Sequence, residues 1–215
     1  MTKALDYDGL TRVFRAAAAQ VRSGVERLGE LDSATGDGDH GVAMGRAMDA
    51  LEKGIDACGN SSIQTLLEGI AESVESIDAG STGPLMGSLL EGMAESVGQA
   101  TRIDTELLAA IFAAGLDELL VISKAKVGDK TMVDALAPGV EALRAAASAG
   151  ESVADALAKA ADAAEAGAEK TKQFQARFGR ARNLGQRSIG HQDPGATSIA
   201  MFFRGCANGA ASLGT

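Results

Sequence analysis

Apolar residues recur at intervals of three and four positions along most of the chain, the spacing that keeps them on one face of an α-helix. In the first segment, the apolar residues that share a face are Leu10, Val13, Phe14, Ala17, Val21 and Leu28. Between stretches of Gly, Ser, Asp and Thr, the pattern predicts eight helices, at about residues 7–31, 41–55, 61–77, 83–98, 104–123, 131–148, 151–172 and 195–211. No useful length of sequence alternates apolar and polar residues as a half-buried strand would. We therefore expect an all-α fold.

The composition favours a single helical domain over residues 1–215. Hydrophobic residues make up 46% of the chain, whereas aromatic residues make up only 3%. Such a core is built from Ala, Leu, Ile, Val and Met, which suits close helix packing. Asp104 and Ser152 are expected at helix starts, and Pro84 and Pro194 lie where a missing N–H costs nothing.

The charge of the chain limits its expected partners. A net charge of −9 argues against nucleic acid or a membrane surface as the primary partner. Cys58 and Cys206 are far apart and belong to no metal-ligand pattern, so both are expected to be buried, reduced thiols. The first residues show no signal-peptide pattern, and no apolar run approaches about 18 residues. We expect a cytoplasmic protein.

Three carboxylates and an imidazole crowd the Gly-rich connection between the first two predicted helices. These residues are Asp32, Asp37, Asp39 and His40. Like charges this close repel, so stability alone does not explain the cluster, whereas a divalent cation does. In an EF-hand counted from Asp37, the twelfth position would hold Glu, but Met48 stands there. The pattern favours Mg²⁺ over Ca²⁺. The alternative is that Asp37 and Asp39 only cap the next helix.

Three further connections are also unusual. Residues 80–87 place small residues at a helix start, where backbone N–H groups can receive an anion, although they are not a Walker A loop. In residues 126–134, Asp129 or Thr131 could be an N-cap. Residues 173–198 carry four arginines ahead of any acidic residue, and guanidinium groups suit phosphate oxygens: Arg177, Arg180, Arg182 and Arg187. A plain turn is the alternative for residues 80–87, and a solvated basic loop is the alternative for residues 173–198.

The positions of the four connections suggest that they share one site. If eight helices run up and down, the connections 1–2, 3–4, 5–6 and 7–8 lie at the same end of the bundle. The four unusual segments are those connections. Carboxylates, small-residue helix starts and an arginine loop together indicate a site for Mg²⁺ and a nucleotide. A hydrolase triad or a dinucleotide fold has little support, because the required motifs are absent.

Four motifs in these connections resemble the L subunit, or DAK2 domain, of dihydroxyacetone kinases. They are GDGDHG at 36–41, GSTGPLMG at 80–87, GDKTMVDAL at 128–136 and RSIGHQDPGATS at 187–198. Their order also matches the family, and the resemblance extends over residues 10–207. It implies a barrel of antiparallel helices that binds a nucleotide at one end.

The resemblance implies roles for individual residues. The expected ligands of two Mg²⁺ ions are Asp32, Asp37 and Asp39. The expected contacts of ADP or ATP are His40, Gly41, Val42, Ala43, Ser81, Thr82, Met132, Arg180, Asp193, Pro194 and Gly195. Arg180 is also expected to act in catalysis, by offsetting charge that develops during phosphoryl transfer. Ala125 stands where the family often has Gly, so no contact is assigned to residues 123–127.

The resemblance also implies a function and partners. The chain would carry the nucleotide of a kinase whose separate K subunit holds dihydroxyacetone, or a similar small ketose, on a His. Residues 187–195 look like the form found in phosphotransferase-system-dependent members, in which a phospho-histidine protein, the M subunit, rephosphorylates resident ADP. The alternatives are exchange of free ATP, a nucleotide-sensing regulator read by a transcription factor, and a two-metal nucleotide-sugar hydrolase.

Overall fold

Helices account for most of the residues that the structure describes. The computed structural model describes residues 2–59 and 61–214. The α-helices in this part of the chain are α1 (Tyr7–Ser23), α2 (Val25–Ser33), α3 (His40–Cys58), α4 (Ile63–Glu75), α5 (Thr82–Val97), α6 (Thr105–Ser123), α7 (Val133–Ser148), α8 (Val153–Lys170) and α9 (Pro194–Ser212). Two 3-10 helices follow α8, at Thr171–Gln173 and Arg180–Ser188. Two short strands, β1 (Ala4–Leu5) and β2 (Ile103–Asp104), pair antiparallel.

The helices form a closed ring. From α3 to α9, each helix packs on the helix that precedes it in the chain. The ring closes because α9 packs on α1 and α1 packs on α3, while α2 lies against α3 and α9. The all-α bundle predicted from the sequence is confirmed, and its closure makes it a barrel. Within residues 2–59 and 61–214, none of the helices combines the length and apolar character needed to cross a bilayer.

The prediction of one continuous helix over residues 7–31 was wrong, because the structure divides this segment into α1 and α2. The break lies at Gly24, whose φ of −105° and ψ of 5° are not helical. A Cβ at this position would lie 2.5 Å from Sδ of Met201, so a larger residue would displace the end of this side chain of α9. The other seven predicted helices end within three residues of the observed ones.

Side-chain caps start several helices. Asp104 accepts a hydrogen bond from the N–H of Leu107 at 2.9 Å, as expected for the start of α6. Ser152 is the N-cap of α8 and accepts from the N–H of Asp155. Each cap satisfies an N–H group that the first turn leaves without a helical partner.

The core that holds the barrel together consists mainly of small and aliphatic side chains. Phe112 and Phe203 stack with ring centroids 5.1 Å apart, joining α6 to α9. Between α1 and α9, the backbones approach closely at Gly205, where a Cβ would lie 2.7 Å from the carbonyl oxygen of Ala16. Both cysteines are free thiols, as expected. The expectation that both are buried was right for Cys206, which lies in this core, but wrong for Cys58, which is only partly buried near the end of α3.

We expect Gly205→Ala to lower the free energy of unfolding by about 1–3 kcal/mol, because the added methyl group would press on the backbone of α1. The matched control is Gly45→Ala in α3, where a Cβ would meet only Cγ2 of Val25, at 3.6 Å. The control should gain up to about 1 kcal/mol through its higher helix propensity. Urea denaturation measures both changes, and equal stabilities of the two variants would contradict the close approach of α1 and α9.

Candidate functional site

One cavity lies at the end of the barrel where the four unusual connections meet. It has a volume of about 590 Å³ and is lined by residues from the α2–α3, α4–α5, α6–α7 and α8–α9 connections. The up-and-down arrangement inferred from the sequence predicted this meeting. The predicted site residues that line the cavity are Asp32, Asp37, Asp39, His40, Ser81, Thr82, Met132, Arg180, Asp193, Pro194 and Gly195.

Three of the predicted nucleotide contacts are not among the residues that line this cavity. Gly41 is buried against α2, and a Cβ there would lie 2.9 Å from the backbone nitrogen of Gly29 and still closer to the carbonyl oxygen of Val25. Val42 is 55% exposed, whereas Ala43 is 7% exposed and faces the core. The structure therefore gives Gly41 a packing role between α2 and α3. Contact of these three residues with a nucleotide stays a prediction.

The carboxylates of Asp32, Asp37 and Asp39 form a compact group of oxygen ligands. Each offers one oxygen atom, and these atoms all lie within 4.8 Å of one another. Glycine is needed in the turn that holds them, because a Cβ on Gly36 would overlap Oδ1 of Asp32. Gly38 adopts a left-handed φ of 80°. All-oxygen ligation by a few carboxylates suits Mg²⁺, which completes its coordination with water and phosphate oxygens.

The alternative that these carboxylates only cap α3 does not account for their arrangement. Asp39 occupies the N-cap position, but its side chain accepts no capping hydrogen bond. The N–H of His40 instead donates to Oδ2 of Asp32, at 3.2 Å. This bond ties the last turn of α2 to the first turn of α3 and fixes the position of the carboxylate group.

Arg180 supplies positive charge to the carboxylates. Its Nη1 forms an ion pair with Oδ2 of Asp37, and its Nη2 lies 3.9 Å from Oδ2 of Asp39. Of the four arginines between residues 173 and 192, Arg180 is the one that lines the cavity. Arg177 pairs instead with Asp129, at 3.3 Å. A guanidinium that reaches two carboxylates in this cavity competes with any cation that binds there.

His40 joins the carboxylate group to α9. Its Nε2 lies 3.1 Å from Oγ of Ser198, and the Ser198 hydroxyl donates to the carbonyl oxygen of Gly195 at 2.9 Å. Burial lowers the pKa of His40, although the nearby carboxylates of Asp32 and Asp39 act in the opposite direction. The imidazole is thus held predominantly neutral near pH 7, and it orients the first turn of α9.

The α6–α7 connection is organised by two buried residues that the sequence analysis missed. Asp134 accepts from the N–H groups of Gly128, at 2.5 Å, and Thr131, at 2.7 Å. Lys130 lines the cavity but is only 2% exposed. A lysine and an aspartate in a polar loop look solvated, and their only signal in the sequence was their place in the GDKTMVDAL motif.

The candidate caps in this connection need correction. Asp129 does not cap α7; its carboxylate accepts from the N–H of Lys126. The hydroxyl of Thr131 does accept a hydrogen bond from the N–H of Val133, at 3.2 Å, but the N-cap position of α7 is occupied by Met132. The loop is therefore closed by Asp134 from inside the helix rather than by a residue ahead of it.

Asp193 opens α9 from a buried position. Its Oδ2 accepts from the N–H of Ala196 at 2.7 Å, the geometry of an N-cap. Burial raises the pKa of Asp193 to about 7, while the hydrogen bond from Ala196 and the charge of Lys130 oppose the rise.

We expect Arg180→Met to raise the affinity of the nucleotide-free chain for a divalent cation by roughly two- to fivefold, because removing the guanidinium frees oxygens of Asp37 and Asp39. Titration with Mn²⁺, followed by electron paramagnetic resonance at low ionic strength, measures this affinity with little screening. The control is Arg187→Met, which removes the same charge from an exposed position in the same segment. Weaker Mn²⁺ binding by Arg180→Met would contradict the competition.

Comparison with known proteins relates this chain to subunits of dihydroxyacetone kinases. The model of the family described as the DAK2 domain matches residues 34–208. The PEP-dependent dihydroxyacetone kinase ADP-binding subunit DhaL of Escherichia coli is 38% identical over 179 residues, which are 83% of this chain and 85% of that protein. The corresponding subunit of kinase 1 of Listeria innocua is 35% identical over 198 residues, or 92% of this chain and 94% of that protein.

Solved structures share the fold. The crystal structure of the dihydroxyacetone kinase from C. freundii in complex with AMP-PNP and Mg²⁺ matches 97% of this chain with a TM-score of 0.73 and 26% sequence identity. The native form of that kinase matches with a TM-score of 0.74. This chain spans 35% of the length of the crystallised kinase. The family model matches most of the length of this chain, and the four motifs lie in the expected order. The chain therefore belongs to the DAK2 domain family.

Proposed function

We propose that this chain is the Mg-ADP/ATP-binding subunit of a dihydroxyacetone kinase. In its ATP state the nucleotide would pass its terminal phosphoryl group to a small ketose held by a separate K subunit, and ADP would remain. The observation that carries the proposal is one cavity that gathers three carboxylates, Arg180 and the starts of α3, α5 and α9. The names of the relatives confirm the prediction of a phosphotransferase subunit, since they are kinase subunits described as ADP-binding.

The cavity contains groups suited to both parts of a nucleotide. Ser81 and Thr82 lie at the start of α5, and their hydroxyls have no hydrogen-bond partner within the part of the chain that the structure describes. Apolar side chains that could hold a base also line the cavity, among them Leu85, Ile122 and Met132. A charged region and an apolar region in one cavity are what a nucleoside phosphate requires.

We further propose that Asp32, Asp37 and Asp39 hold two Mg²⁺ ions, which would neutralise phosphate charge when bound. The three carboxylates would hold the ions in place, and Arg180 would offset negative charge at the phosphate that is transferred. His40 lines the cavity at the start of α3, and the Asp193–Gly195 turn lines it at the start of α9. Because phosphoryl transfer depends mainly on position and charge, no protein nucleophile is required from this chain.

The partners follow from the same proposal. The K subunit would hold the ketose covalently on a His, and a phospho-histidine protein of the phosphotransferase system would rephosphorylate resident ADP. The relatives named PEP-dependent or PTS-dependent support this donor over free ATP. We also propose that residues 1–215 act as one nucleotide-binding domain in the cytoplasm. A role with a transcription regulator would add to the kinase function rather than replace it.

We expect Asp37→Asn to abolish the stabilisation that ADP and Mg²⁺ confer on the chain. A ligand at a hundred times its Kd stabilises a folded protein by about 2.7 kcal/mol, and a variant that does not bind loses this increment. Thermal melts with and without ADP and Mg²⁺ measure it. Asp117→Asn, at an exposed position in α6, is the control that changes the charge equally. An Asp37→Asn variant that ADP and Mg²⁺ stabilise as much as the parent chain would refute the assignment.

We expect the chain to retain ADP when it is purified without added nucleotide, because a resident cofactor must dissociate slowly. Acid precipitation followed by ion-exchange chromatography measures the nucleotide that the protein carries. Asp37→Asn, purified in the same way, should be empty. A parent chain that emerges empty and is active with the K subunit and free ATP would favour the ATP-exchanging alternative.

A further inference from the structure

A buried lysine connects three segments around the cavity and has no role in the proposal above. The ammonium group of Lys130 donates to the carbonyl oxygen of Thr171, at 2.6 Å, and to that of His191. Thr171 follows the end of α8, and His191 precedes the turn that opens α9. One side chain thus ties the α6–α7 connection to both ends of the α8–α9 connection.

Thr171 makes a second link between the same segments. Its side chain is fully buried, and its hydroxyl donates to the carbonyl oxygen of Ala168 at 2.5 Å. The same hydroxyl oxygen accepts from the N–H of Asp193 at 2.8 Å. Lys130 and Thr171 therefore hold the backbone on both sides of Gln192, immediately before the Asp193–Gly195 turn.

Burying Lys130 is unfavourable in itself, so its position needs an explanation. An ammonium group loses hydration on burial, and an apolar side chain of similar size commonly serves stability as well or better. The residue also adopts a left-handed φ of 62°, which is uncommon for a residue other than glycine. The negative charges of Asp193 and Asp134 act on Lys130 and partly offset the loss of hydration. A side chain retained under these conditions is better explained by the geometry that it imposes than by stability.

We propose that Lys130 and Thr171 form an inner clamp, a pair of positioning residues that fixes the Asp193–Gly195 turn against the start of α7 and thereby slows release of the nucleotide. The proposal rests on the nucleotide-binding function proposed above. In the clamp, both residues act through the turn. Gly195 is the point of contact, because a Cβ there would lie 3.4 Å from the backbone nitrogen of Met132, the N-cap residue of α7.

The test uses variants of the full chain. Lys130→Met removes the ammonium donors but keeps a long side chain, and Thr171→Val removes the hydroxyl at nearly constant volume. The control is Lys126→Met, at an exposed position in the same connection as Lys130. Stopped-flow fluorescence with an N-methylanthraniloyl derivative of ADP and Mg²⁺ measures the dissociation rate. We expect each clamp variant to dissociate about tenfold faster, the size of effect that loss of a buried hydrogen bond produces, and the control to behave as the parent chain does.

A double variant separates the clamp from simpler explanations. Because both residues hold one turn, Lys130→Met combined with Thr171→Val should accelerate dissociation less than the product of the single effects. Mn²⁺ affinity without nucleotide should not change, since the carboxylate group lies on other segments; a general loosening of the fold would lower it. If Lys130 instead contacted the phosphates directly, Lys130→Met alone would accelerate dissociation, and an unchanged rate in Thr171→Val would overturn the clamp.

Hydrogen exchange tests the clamp without any nucleotide. In the empty chain, the amides of residues 193 and 195–197 should exchange faster in Lys130→Met and in Thr171→Val than in the parent chain. Unchanged exchange in the folded variants would overturn the clamp even if the parent chain bound no ADP, an outcome that would count against the proposed function alone. If Lys130→Met failed to fold, Thr171→Val would decide both measurements, because its nearly unchanged volume preserves the packing.

Discussion

Mutual repulsion of three carboxylates is the constraint around which this end of the molecule is organised. The carboxylate oxygens of Asp32, Asp37 and Asp39 lie within 4.8 Å of one another, and water that reaches the exposed Asp37 and Asp39 screens their repulsion only in part. The turn between α2 and α3 nevertheless holds the three together, and the repulsion that remains is lowered by positive charge. Arg180 supplies part of it from the α8–α9 connection. This links the most acidic and the most basic segments across the cavity.

The barrel prevents this repulsion from relaxing by separation of the segments. Gly41 allows α3 to lie against the backbone of α2, and Gly205 allows α9 to lie against α1. Because neither contact has room for a methyl group, the helices cannot slide apart without loss of close packing. The closed ring then brings four connections to one end. Many binding sites consist of polar connections between rigid helices, because the stable packing of the helices holds the connections in one geometry.

Much of this arrangement could be predicted from the sequence. Helical periodicity predicted the helices that form the ring. The unusual segments lie at every second connection, and this predicted that Asp37, Ser81 and Arg180 would lie around one cavity. The break at Gly24 was missed because apolar periodicity continues through it, and the side chain that packs against Gly24 is that of Met201 in α9, far away in the sequence. The buried position of Lys130 was missed for a different reason. Its partners are backbone carbonyl oxygens far away in the chain, which carry no signature of their own in the sequence.

The two groups of charges at the cavity differ in burial, and this difference divides their roles. Asp37, Asp39 and Arg180 are exposed, so water screens their interactions and their partners can be exchanged for a cation or a phosphate. Lys130 and Asp193 are buried, and loss of a partner there would leave an uncompensated polar group. The exposed charges are therefore suited to binding and release, whereas the buried ones are suited to holding the backbone in one geometry. The proposed function, transfer of a phosphoryl group from a nucleotide that stays bound, would need both.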